Sequence, residues 1–181
     1  MRAAVEGLVD DVDAFLLEAY EAERPCLRGE VRWVDVLPAL LERWGVQHAV
    51  DDVLRAWLTI QPVPQARALL PPLRAAGVGC FLATNQDERR GRHMQQHLGY
   101  QDLLDGAFYS CTMGVAKPDP AYFHAVLAAL QVPAEDVVLI DDNRLNVESA
   151  RTLEIVAEVW SHREPVSVLR RHLARSGLPV R

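Results

Sequence analysis

The apolar positions of this chain change rhythm near residue 64. Before it, they recur at helical spacing. Segment 13–20 carries Phe15, Leu16, Leu17 and Tyr20. Trp33, Val36, Leu37, Leu40, Leu41 and Trp44 then repeat at three- and four-residue steps until Gly45, a residue suited to ending a helix. Segment 50–58 predicts a third helix, and Pro62 and Pro64 break the chain after it. Beyond that seam, short apolar runs alternate with helical patterns. The runs 78–83, 107–110, 137–140 and 155–160 predict strands, and 66–76, 88–98, 120–130, 145–153 and 166–176 predict helices. Strands alternating with helices predict an α/β fold with a parallel sheet and right-handed crossovers.

The 181 residues suffice for one domain, or for a core domain with a small insert. The formal net charge of −6 argues against a nucleic-acid surface and against an anionic membrane. Cys26, Cys80 and Cys111 are odd in number, far apart and without CxxC spacing. They suggest neither a disulfide framework nor a zinc knuckle, and a reducing, cytoplasmic setting is expected. No apolar run reaches membrane-spanning length, and no signal-peptide pattern opens the chain. His93 and His97 have metal-like spacing, but Met94 stands where a zinc protease carries Glu, so an exposed polar helix face is expected. Trp33, Trp44 and Trp57 are expected in a helical core rather than on a stacking platform.

Composition sharpens one position. Eighteen of the nineteen basic residues are arginine, and the exception is Lys117, within Gly114-Val115-Ala116-Lys117-Pro118-Asp119-Pro120. An ammonium is a compact point charge, whereas a guanidinium is a wide planar fork. A tight pocket that sets one charge against an oxyanion discriminates between them. In a parallel sheet, ligands bind beyond the carboxyl ends of the strands. Two predicted strands end there in polar residues, Thr84-Asn85 and Asp141-Asp142. A hydroxyl, an ammonium and two carboxylates can meet at one rim. The first two suit phosphate oxygens, and the carboxylates suit Mg²⁺, which prefers hard oxygen ligands.

With these residues in this order, the chain resembles the haloacid dehalogenase superfamily, mostly phosphatases. Residues 81–86 resemble that family's second motif, and Gly114 to Pro120 followed by Phe123 its third. Residues 137–142, with Asn146, Val147 and Ala150, resemble its fourth. The resemblance implies a three-layer Rossmann-like parallel sheet over 64–181 and a small α-helical cap over 1–63. It implies that Thr84 and Asn85 bind phosphate, that Thr84 and Lys117 are catalytic, and that Asp142 with Asp141 serves Mg²⁺. The implied substrate is a small phosphorylated metabolite. Paired acids at the fourth motif favour a metal-dependent phosphatase over a dehalogenase. A receiver domain, which also combines these residue types, places its acidic pair first and so is excluded by the order.

One motif is missing. The family's first strand ends in Asp-x-Asp, whose first Asp attacks phosphorus and whose second serves as acid and base. The sole Asp-x-Asp here, Asp11-Val12-Asp13, follows a poor buried strand and leads into a helix, where acids are favoured by the dipole. The first core strand is therefore expected to be absent, which leaves two sheet edges unpaired. Three explanations stand open: a strand encoded upstream, a degenerate strand over 3–9, or a repaired sheet in a protein without catalysis. Two functions follow, a truncated Mg²⁺-dependent phosphatase without its nucleophile in this chain, or a non-catalytic binding or regulatory protein.

Overall fold

The computed structural model describes residues 2–180. They form two compact units, and neither is one continuous stretch. The first takes in the N-terminal residues to Gln61 with Asn85–Leu98 and Tyr109–Gly114; the second takes in Pro62–Thr84, Gly99–Phe108 and Val115 onward.

The first unit is helical. Its longer helices are Val12–Glu23, Trp33–Arg43, Val50–Trp57 and Glu88–His97. Asp11 caps the first of these, accepting a hydrogen bond from the Ala14 backbone amide at 2.9 Å. That is the role a short acid takes at a helix start, so Asp11 and Asp13 stand at a helix N-terminus. Residues before it do not form a sheet strand: Arg2–Val5 is a helical turn, and Glu6 and Val9 share one isolated bridge. Phe15, Trp33, Leu37, Leu40, Leu41, Val53 and Trp57 close into one buried core. Trp33 and Trp57 stack at 4.7 Å, as core residues. His93 and His97 stack on each other on the Glu88–His97 helix, with His97 exposed.

The second unit holds the strands, apart from Tyr109 at the end of the second. β1 is Phe81–Thr84, β2 Gly106–Tyr109, β3 Val138–Asp141 and β4 Val156–Val159. β3 and β4 are parallel, with Val138 opposite Val156 and Asp141 opposite Val159. The sheet is not continuous: β1 pairs with β2, β3 pairs with β4, and no ladder joins β1 to β3. The expectation that strand 78–83 is buried is corrected here. β1 begins at Phe81, which is exposed, and its other residues are half-buried. A strand with no neighbour on one edge loses burial on that side. The single predicted helix over 66–76 divides into Pro64–Arg67 and Leu70–Ala75, because Pro71 and Pro72 withhold two backbone donors. Behind the strands, Leu69, Leu73, Cys80, Trp160, Leu169 and Leu173 form a second core.

Candidate active site

Lys117 is buried, and its ammonium meets oxygens from two strands. It donates to the Ala83 carbonyl at 2.8 Å and to Asp141 Oδ2 at 2.5 Å. Ala83 lies at the end of β1 and Asp141 at the end of β3, so one side chain ties together the carboxyl ends of strands that share no ladder. Both side chains of the pair are only 6% accessible. The geometry explains the lone lysine: two acceptors from two strands converge on a single nitrogen, which suits a point charge better than a fork. The Lys117–Pro118 peptide is cis.

Asp141 accepts from three hydrogen-bond donors. Beyond Lys117, its Oδ1 accepts from the Asn143 amide at 2.9 Å and from Asn146 Nδ2 at 3.0 Å. These contacts hold the Lys117 ammonium against the end of β3. Asp142, one residue on, is exposed. Asn146 is buried, and its Oδ1 has no hydrogen-bond partner. The exposed Asp142 carboxylate and this orphaned amide oxygen are hard donors of the type Mg²⁺ takes, with water filling the remaining positions. Among the described residues, no group of three or more His, Cys, Asp or Glu gathers as a metal cluster.

Thr84 ends β1 next to Ala83 and is half-buried. Asn85, also half-buried, belongs to the first unit. The structure thus gathers Ala83, Lys117 and Asp141 by direct contact, with Thr84 and Asp142 as their chain neighbours. Tyr122 is a site residue that the sequence reading did not single out. It is fully buried, with its ring centroid 5.9 Å from the Lys117 nitrogen. Its hydroxyl donates to the Phe108 carbonyl at 2.7 Å, and burial raises its pKa above the usual phenol value. The only hint in sequence was position: it lies on the helix Pro120–Leu130 that follows the lysine loop, capped by Asp119.

A model of haloacid dehalogenase-like hydrolases matches residues 2–153. The chain is 33% identical over 134 residues to the phosphoglycolate phosphatase of Rhodospirillum rubrum, covering 72% of this chain and 54% of that protein. It is 32% identical over 101 residues to the phosphoserine phosphatase of Thermus thermophilus, covering 55% of this chain and 40% of the relative. The chain thus spans about half the length of these curated relatives. Among solved structures, a HAD family enzyme of Bacteroides thetaiotaomicron, in complex with magnesium and inorganic phosphate, superimposes with a TM-score of 0.71. That match has 20% identity and covers 85% of this chain and 83% of that one. At that identity the likeness speaks for the α/β fold alone. No helix among the described residues is long and apolar enough to cross a membrane. The family match over most of the chain, the phosphatase relatives and the Lys117-centred strand ends together place this chain among the haloacid dehalogenase-like hydrolases.

Proposed function

We propose that this chain carries the phosphate- and metal-binding half of a Mg²⁺-dependent phosphatase of small phosphorylated metabolites. The observation that carries the reading is the Lys117 ammonium, fixed between the ends of β1 and β3. In this reading Thr84 and Asn85 bind the phosphoryl oxygens, and Lys117 offsets their charge. Asp141 keeps Lys117 in place, and Asp142 holds Mg²⁺ with water. When bound, the metal neutralises phosphate charge and orients the group. Residues 1–63 are proposed as the helical cap over a core of 64–181. The relatives' names, phosphoglycolate phosphatase and phosphoserine phosphatase, support a small phosphomonoester as substrate.

We further propose that the nucleophilic aspartate comes from a strand between β1 and β3 that these residues do not provide, so that the chain is a truncated form. The break in the sheet supports this, as does the use of Asp11 as a helix cap. The chain alone should bind Mg²⁺ and inorganic phosphate by calorimetry, with Mg²⁺ binding lost in Asp142→Asn and phosphate binding lost in Thr84→Val. It should release phosphate from p-nitrophenyl phosphate only at background rate. Absence of phosphate binding would remove the site. Strong Mg²⁺-dependent turnover that Asp11→Asn abolishes would instead assign the nucleophile to Asp11.

A further inference from the structure

The Glu88–His97 helix carries two histidines that the phosphate-site chemistry does not use. His93 and His97 are four residues apart, so their side chains leave one face of the helix a turn from each other. Their ring centroids lie 4.7 Å apart, with planes 18° from parallel. Metal–imidazole bonds are about 2.0–2.1 Å long. Rings at this separation are within reach of one ion once each turns to aim a nitrogen at it.

The contacts of the pair leave lone pairs for that ion. His97 Nδ1 lies 3.3 Å from the His93 backbone carbonyl. A carbonyl only accepts, so Nδ1 carries the proton and Nε2 keeps a bare lone pair. Metal-ligating histidines adopt this arrangement, because the second hydrogen bond fixes the tautomer and raises the basicity of the ligand nitrogen. The half-buried His93 ring makes no hydrogen bond among the described residues. Burial first, then His97, Arg90 and Arg89, hold its pKa below the usual imidazole value, so the ring is largely neutral at pH 7.

Arginines surround the pair, but their charge is mostly met elsewhere. Arg32 pairs with Asp35 at 2.7 and 2.8 Å, and Arg92 pairs with Glu88 one turn before it. Arg90 has the Glu23 and Asp87 carboxyl groups beside it, the three packed about Trp57. Arg89 is left to oppose a cation. Beside the rings is a hollow of about 340 Å³, lined also by Trp33, Val34, Leu58 and Gln96. It leaves an ion open to water, unlike a closed four-ligand site.

We propose that His93 and His97 form a two-imidazole site for a late first-row divalent transition-metal ion, with water in the remaining positions. Imidazole suits Zn²⁺, Ni²⁺ and Cu²⁺, whereas carboxylates and water suit Mg²⁺. The site is therefore separate in chemistry from the residues at the strand ends, and it does not depend on the chain being a phosphatase.

The test is calorimetric titration of the intact, reduced chain with Ni²⁺ at pH 7. One ion should bind per chain, and excess Mg²⁺ should not displace it. His97→Gln should weaken binding at least about tenfold, because a chelate becomes a single ligand, and His93→Gln should do the same. His97→Gln combined with Gln95→His keeps the number of histidines but sets two of them two residues apart, on different faces of the helix. Binding should stay weak in that double variant. Affinity that survives either single substitution overturns the proposal. So does recovery of binding in the double variant, or displacement of Ni²⁺ by Mg²⁺. His97 is exposed, so His97→Gln is a sufficient test even where His93→Gln does not fold. Asp142→Asn should leave Ni²⁺ affinity unchanged, and its loss there would move the ion to the strand ends and overturn the site. The probe is neither phosphate nor Mg²⁺, so failure here is separable from failure of binding at Thr84, Lys117 and Asp142.

Discussion

Lys117→Met should be among the most damaging single substitutions in the second unit. The ammonium sits 2.5 Å from Asp141 Oδ2, and both side chains are 6% accessible. At that distance, with an effective dielectric constant of about 20, Coulomb's law gives roughly 6–7 kcal/mol, much of it offset by desolvation of both ions. Methionine has nearly the same length without the charge. It leaves Asp141 buried with two neutral donors, Asn143 N at 2.9 Å and Asn146 Nδ2 at 3.0 Å. Stranding one partner of a buried pair costs about 3–5 kcal/mol. The two remaining hydrogen bonds to a charged acceptor are each worth roughly 1.5–3 kcal/mol, which places the loss at the lower end, near 3 kcal/mol. For a chain of this size, each kcal/mol moves Tm by about 2–4 °C, so the expected drop is about 6–12 °C. Thermal unfolding followed by circular dichroism at pH 7 measures it. Adding Asp141→Asn to Lys117→Met should recover stability, because the amide oxygen still accepts from Asn143 and Asn146 while the stranded charge is gone. A drop below about 2 °C, or strict additivity of the two substitutions, would refute a buried pair as the tie between the strands.

Lys117→Arg preserves the charge yet should cost about 1–3 kcal/mol, since a wider head group must enter a closed pocket; equal Tm values would contradict that. Gly29 has φ +69°, and a Cβ there would lie 2.3 Å from the Cys111 carbonyl oxygen, whereas Gly45, also at φ +69°, has open space around it. Gly45→Ala should therefore cost about 1–2 kcal/mol for backbone strain alone and Gly29→Ala clearly more, as denaturant midpoints will show; equal costs would mean the contact is loose. Glu23 has a folded pKa of about 8, above its unfolded value near 4.3, so the folded state holds the extra proton between those values. Stability then declines as pH rises from about 4.5 to 8. Glu23→Gln removes that decline, so its Tm advantage over the unmodified chain should grow from pH 5.5 to pH 8.5; a constant difference would place Glu23 in ordinary solvent-like surroundings.

The features legible in sequence were those written into single elements. Strand ends, the lysine loop and the Gly stops after helices each announce themselves within a few residues, because the local backbone and the local chemistry coincide there. β3 was expected over 137–140 and is Val138–Asp141, and the last helix was expected over 166–176 and is Val166–Arg175. The division of labour between Asp141 and Asp142 was not legible. Asp141 is the last residue of β3 and turns inward to Lys117, whereas Asp142 lies just past the strand and is exposed, but two identical letters do not say which. The Glu23, Asp87 and Arg90 group was equally hidden. On a helix ending and a helix start far apart in sequence, charged residues look like ordinary solvated positions, and only packing against Trp57 reveals that they are buried. Tyr122 was hidden by its apolar neighbours.

The break between β1 and β3 gives the lone lysine a structural meaning beyond its charge. Two parallel strands with no ladder between them have backbone donors and acceptors on their facing edges, and those groups carry a cost when shielded from water. No ladder among the described residues joins the two pairs. At their carboxyl ends the Lys117 ammonium does, by donating to one oxygen from each strand. Those ends are also where a parallel sheet binds its ligands. In the proposed phosphatase reading, the residue that braces the sheet is also the one that meets the phosphate. A substitution there has to disturb both, and stability and phosphate binding should fall together at Lys117. At Asp142, exposed and outside the brace, binding should fall with Tm unchanged. The contrast between these two positions separates a site built for a ligand from a side chain kept only to hold two strands together.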